Sequence, residues 1–147
     1  MITAVSERGR IVIGRLERGD ELHAGLLRAC ERHGVQTGFV RAIGACEAAE
    51  LTEFDPEALG YRAPLRLEGF HELVALNGNV SIRDGKPFLH LHAMLTSTRA
   101  DGCKVYGGHL MSARVFACEF EIACADDVTL ERHTEPITRL ALWGKPE

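Results

Sequence analysis

The sequence predicts an α/β fold of the α+β kind, a mainly antiparallel twisted sheet with one packed N-terminal helix. Three observations predict it. Only Asp20 to His33 carries apolar residues at helical spacing, with Leu22, Leu26 and Cys30 in one stripe beside Ala29. Most of the remaining chain alternates apolar and polar with period 2, above all in 72–82 and 86–95. Between those two runs lies Asp84-Gly85, a dipeptide suited to a two-residue hairpin loop. The 147 residues are enough to bury one core, so 1–147 is expected to form a single domain.

Taken in order, 10–16 (Arg-Ile-Val-Ile-Gly-Arg-Leu) reads as a first strand. Asp20 is the expected N-cap of the helix, Glu21 suits the helix dipole in the first turn, and Gly34 is the expected stop. His23 and His33 lie on this helix with no second histidine at i+4, so both are expected to be solvated. The small, apolar stretch 37–55 predicts two strands with a break or bulge near Gly44. A turn follows at 55–60, then a short strand over 61–67.

In 72–82, Val74, Leu76, Gly78, Val80 and Ile82 share one face. Asn77-Gly78 has turn chemistry, yet the alternation passes through it without a change of phase, which favours one long strand. The turn is then Asp84-Gly85, and it sets the register: Arg83 opposite Lys86, Val80 opposite Leu89, Leu76 opposite Ala93 and Val74 opposite Leu95. Pro87 falls opposite Ile82 at a non-hydrogen-bonded pair, where its missing N–H is harmless. On the other face, Asn79 meets His90 and Asn77 meets His92.

After Asp101-Gly102, a second loop signal, 103–109 should return alongside and bring His109 opposite Met94, diagonal to His92. A strand over 114–122 is expected to bury Phe116, Cys118, Phe120 and Ile122 and to expose Glu119 and Glu121. Weaker strand signals lie at 128–130 and 137–143.

Two imidazoles at i, i+2 on a strand point the same way, and a third from the returning strand completes a possible three-nitrogen metal site of His90, His92 and His109, with His92 in the middle. Three neutral imidazoles suit zinc or another divalent metal and leave a position for water or a small-molecule ligand. Asn77 and Asn79 are candidates to orient the rings, and Glu119 is a candidate base or supporting group. The alternative is that the histidines are structural, hydrogen-bonded to these amides and to backbone. No catalytic residue is assigned, and His71 and His133 are given no role.

The formal net charge of −4, with lysine only at positions 86, 104 and 145, lacks the basic balance of a protein that neutralises phosphates, so nucleic acid is a doubtful partner. The five cysteines form no C-x-x-C pair and read as reduced small hydrophobes. No apolar run approaches the ~20 residues that span a bilayer, and the first residues lack a signal-peptide pattern, so a cytoplasmic location is expected.

The segments 78–81 (G-N-V-S), 84–93 (D-G-K-P-F-L-H-L-H-A) and 106–110 (Y-G-G-H-L) together resemble the plants and prokaryotes conserved (PPC) domain family, whose prokaryotic members are sometimes labelled DNA-binding proteins with a PD1-like motif. The resemblance runs from the first strand to Glu121. It implies a sandwich-like antiparallel sheet with one packed helix, assembled as a homotrimer. Some prokaryotic members look metal-containing, which carries over to His90, His92 and His109 as ligands. Plant members carry AT-hook segments and lack these histidines; here Arg8-Gly9-Arg10, preceded by Glu7, is the only trace of a hook. Ala113 stands where the family often has glycine. Two functional classes follow: a homotrimeric metal-binding protein, enzyme or small-molecule sensor, or a DNA-associated, transcription-linked regulatory module with structural histidines.

Overall fold

The computed structural model describes residues 3–100 and 102–144. Its elements are β1 (Ile11–Leu16), α1 (Leu22–His33), β2 (Gly38–Thr52), β3 (Phe54–Asp55), β4 (Gly60–Tyr61), β5 (Leu65–Arg83), β6 (Lys86–Arg99), β7 (Gly102–Cys124), β8 (Arg132–Thr134) and β9 (Ala141–Trp143). β2 pairs with β5, β5 with β6, β6 with β7, and β7 again with β2, all antiparallel. The four long strands thus close into a barrel-like sheet, and β1 adds to the far half of β7. Closure reduces free sheet edges without abolishing them: among the described residues β1 pairs with β7 alone, and the first half of β6 with β5 alone.

The helix forms where its stripe predicts, but Glu21 is the N-cap: its carboxylate accepts the Ala24 N–H at 2.7 Å. Asp20 instead accepts the Glu17 N–H and pairs with Arg28. Two adjacent acids compete for one role, and the longer side chain reaches back into the first turn. Gly34 ends the helix in the left-handed conformation, at φ 62°. Leu22, Leu26 and Cys30 are buried with Leu76, Leu91 and Leu95 in one core. Each such leucine contributes about 1.5–3 kcal/mol by leaving water.

The strands are fewer and longer than predicted. The stretch after Thr37 is one strand, β2, and Gly44 marks a bulge within it rather than a break. A Cβ at Gly44 would lie 2.1 Å from the Ala117 carbonyl oxygen, so only glycine lets β7 approach there. The separate strand predicted over 61–67 does not exist: Gly60–Tyr61 pairs with Phe54–Asp55, and Leu65 already belongs to β5.

The hairpin register holds from Arg83–Lys86 to Leu76–Ala93, including Asn79–His90 and Asn77–His92. The Ile82 N–H points away from Pro87 and donates to the Leu130 carbonyl. Further along, Val74 is an extra residue, so Leu73 and not Val74 faces Leu95. Leu73 is 3% exposed and Val74 46%, because a bulge reverses the alternation beyond it. Phe116 is corrected for the same reason. It is the extra residue of β7 where Ala45 pairs with Ala117 and Cys46 with Val115, so Val115 is buried while Phe116 lies outside against Phe70.

Residues 128–130 form no strand, and of 137–143 only Ala141–Trp143 does, pairing with β8 in a small hairpin. A bridge between Ile82 and Glu131 ties that hairpin to the end of β5. No helix among the described residues is long and apolar enough to cross a membrane.

Candidate metal centre

β6 buries Leu89, Leu91, Ala93 and Leu95 and turns His90 and His92 to its other face. The β6–β7 hairpin closes from Arg99 to Gly102, one residue earlier along the chain than predicted; Asp101 lies outside the described residues. His109 therefore stands directly opposite His92 and not opposite Met94. Gly102, at φ 118°, opens β7 instead of serving as loop.

His90 Nε2 lies 3.0 Å from His109 Nδ1 and 3.2 Å from His92 Nε2. By ring centroids the shortest separation is 4.1 Å between His92 and His109, against 4.9 and 5.1 Å from His90 to the other two. The three rings thus form a triangle, and neither His92 nor His90 is a middle member. All three candidate ligand nitrogens fall within 4.8 Å of one another. Nitrogens bound to one tetrahedral ion at ~2.0–2.1 Å sit roughly 3.3 Å apart, so the observed spacing fits a divalent metal. Tyr61 meets the His109 ring edge-on at 5.1 Å and holds it from the side.

The electrostatics favour the neutral form of His90 and of His109. Burial, with Arg132 and the two neighbouring rings, pushes His90 down to about 4, and burial with His92 lowers His109. A neutral imidazole already has the lone pair a metal needs.

Behind His90 stands a residue that sequence reasoning missed. Arg132 is 8% exposed; its Nε donates to Ser81 Oγ at 2.8 Å and its Nη2 to Asn79 Oδ1 at 2.8 Å. Nη2 also lies 3.5 Å from His90 Nδ1. Asn79 is linked to His90 through this guanidinium. Asn77 faces His92 across the ladder and lines a shallow outer cavity of about 440 Å³ with Glu119 and Arg41, apart from the deep cavity described next. Arg132 carried no periodic signal in the sequence. It reaches the site only because the 128–131 segment docks on the end of β5.

A second, deeper cavity of about 950 Å³ opens beside His90 and His109, walled by Tyr61, Phe88, Arg132 and Trp143. His23 also lines it and is part-buried, not solvated as predicted; burial lowers its pKa. His33 and His133 are exposed, and His71 is buried with Nδ1 2.9 Å from the Gly69 carbonyl oxygen. All five cysteines are free thiols, and four are buried, as small hydrophobes.

Several solved structures share the fold. A metal-containing protein from Archaeoglobus fulgidus superposes with a TM-score of 0.91 at 34% identity, covering 99% of this chain and 100% of that one. A plant- and prokaryote-conserved (PPC) protein from Pyrococcus horikoshii gives 0.88 at 32% identity, over 99% and 98%. A protein proposed to bind DNA, from Bacteroides thetaiotaomicron, gives 0.80 at 25% identity, over 91% of each chain. Among curated proteins, none matches. The Plants and Prokaryotes Conserved (PCC) domain matches residues 3–125, from before β1 to just past β7, so the chain belongs to that family.

Proposed function

We propose that the chain is a metal-binding protein that works as a cytoplasmic homotrimer and holds one divalent ion, zinc in the simplest case, on His90, His92 and His109. The observation that carries this is the convergence of three imidazole nitrogens, those of His109 and His92 lying 3.0 and 3.2 Å from His90 Nε2. The metal-containing relative from Archaeoglobus fulgidus supports it. Three protein ligands leave a position open, and the 950 Å³ cavity lies on the His90 and His109 side of the group. An ion held there would supply Lewis acidity to water or a small-molecule ligand. Asn79, through Arg132, steadies His90; Asn77 is the amide across from His92. Exposed Ile11, Ile13, Phe39 and Ile43 on β1 and β2 supply the apolar surface a trimer would cover.

Elemental analysis of purified protein should find about one divalent ion per chain, and much less in His92→Ala. Full metal content in that variant would overturn the assignment. Light scattering should return about three times the chain mass of 16.2 kDa; the mass of a single chain would refute the trimer.

A further inference from the structure

The deep cavity beside the histidines is built for a charge that the chain itself does not provide. Arg132 is buried, yet the Nε and Nη2 bonds described above and that of Nη1 to the Ala141 carbonyl all go to neutral acceptors. Its guanidinium also lies 5.5 Å from the Phe88 ring centroid and 5.6 Å from that of Trp143. Among the described residues no carboxylate forms an ion pair with it, and a buried cation ordinarily has one. Arg83 and Arg139 line the same cavity, and no aspartate or glutamate does. Two polar atoms of lining residues, Trp143 Nε1 and His23 Nδ1, are buried without a hydrogen-bond partner. A divalent ion on the histidines would add further positive charge a short distance away.

We infer that this cavity binds a small organic anion, a carboxylate or phosphate headgroup on an apolar body. The headgroup sits between Arg132 and the open side of the three-histidine site, and the body lies against Phe88, Tyr61 and Trp143. Arginine matches both headgroups through paired N–H donors. The cavity volume is that of a small-molecule site. Much of the wall, Arg132 to Trp143, lies beyond residues 3–125, so it is supplied by the C-terminal hairpin and not by the matched domain. The inference rests on the metal reading above for the inner half of the site and on Arg132 for the outer half.

The chain's single tryptophan, Trp143, is the reporter. Four probes of similar size are titrated into metal-analysed, full-length protein: phenylacetate, phenyl phosphate, 2-phenylethanol and phenethylammonium. Tryptophan emission and calorimetry are read together. At least one anion should bind about tenfold or more tighter than the alcohol and the amine, since hydrogen bonds to charged groups are worth that much. Which anion binds best separates carboxylate from phosphate. Arg132→Gln should lose about tenfold in anion affinity, read by calorimetry. Should that variant not fold, Arg83→Gln, at an exposed arginine of the rim, should lose a smaller factor. Phenethylammonium or phenylethanol binding as tightly as the better anion overturns the inference, as does failure of both anions to bind protein shown to hold metal. Anion preference retained in protein that takes up no metal overturns the metal reading alone.

Discussion

Truncating His92 should abolish the stabilisation that metal confers while leaving the metal-free fold almost unchanged. The His92 ring is exposed, and Ala in its place opens no cavity in the core. A surface change of this kind stays within about 0.5 kcal/mol. Wild-type protein with the ion at about 100 times its Kd gains about 2.7 kcal/mol, because the ion binds the native state only. In a chain of 147 residues that is a rise in Tm of about 5–11 °C. His92→Ala keeps His90 and His109, their nitrogens 3.0 Å apart, as a two-ligand remnant. Loss of about 100-fold in affinity, the upper end of what even an outer partner costs, leaves about 0.4 kcal/mol at the same ion concentration, near 1 °C. Differential scanning calorimetry near neutral pH, with chelator and with added zinc, measures both proteins. An equal rise in the variant would refute the ligand assignment. No difference between chelated and zinc-loaded wild type would leave the histidines a structural role only.

Acid should destabilise the metal-free protein through His90. Its folded pKa, about 4, lies below the unfolded value near ~6.5, so the unfolded chain binds more protons between them. This contribution is complete above about pH 6.5 and is lost as pH falls towards 4; His90→Gln should flatten the dependence in urea unfolding, and an unchanged slope would refute it. Gly78→Ala should cost about 1–3 kcal/mol in the same assay, because a Cβ there would lie 2.2 Å from the His90 carbonyl oxygen and 2.6 Å from Leu91 Cδ2. Wild-type stability in that variant would show that the hairpin can open at no cost. Duplex DNA should bind weakly at ~150 mM salt, given the net charge of −4; a sub-micromolar Kd by fluorescence anisotropy, falling steeply with salt, would reveal a basic surface made by assembly.

What the sequence determined by itself was local. Period-2 alternation and the Asp84-Gly85 loop set the β5–β6 register from Arg83–Lys86 to Leu76–Ala93, and with it the pairing of His90 and His92 with two asparagines. The apolar stripe and Gly34 marked the helix and its end. Alternation failed where a single extra residue changed its phase, at Val74 and Phe116, because a bulge is dictated by how neighbouring strands bend and not by the residue's own character. Barrel closure likewise depended on partners distant in the chain, and the place of His109 directly across from His92 depended on where the β6–β7 turn falls. Arg132 shows the limit most plainly. It is an unremarkable cation at the start of the short strand β8, and it stands beside His90 only because the chain after β7 folds back over the end of β5 and buries it there. Side chains that meet across dozens of residues leave no period to read. Only packing, which selects partners by shape and by the cost of leaving a polar group unmatched, brings them together.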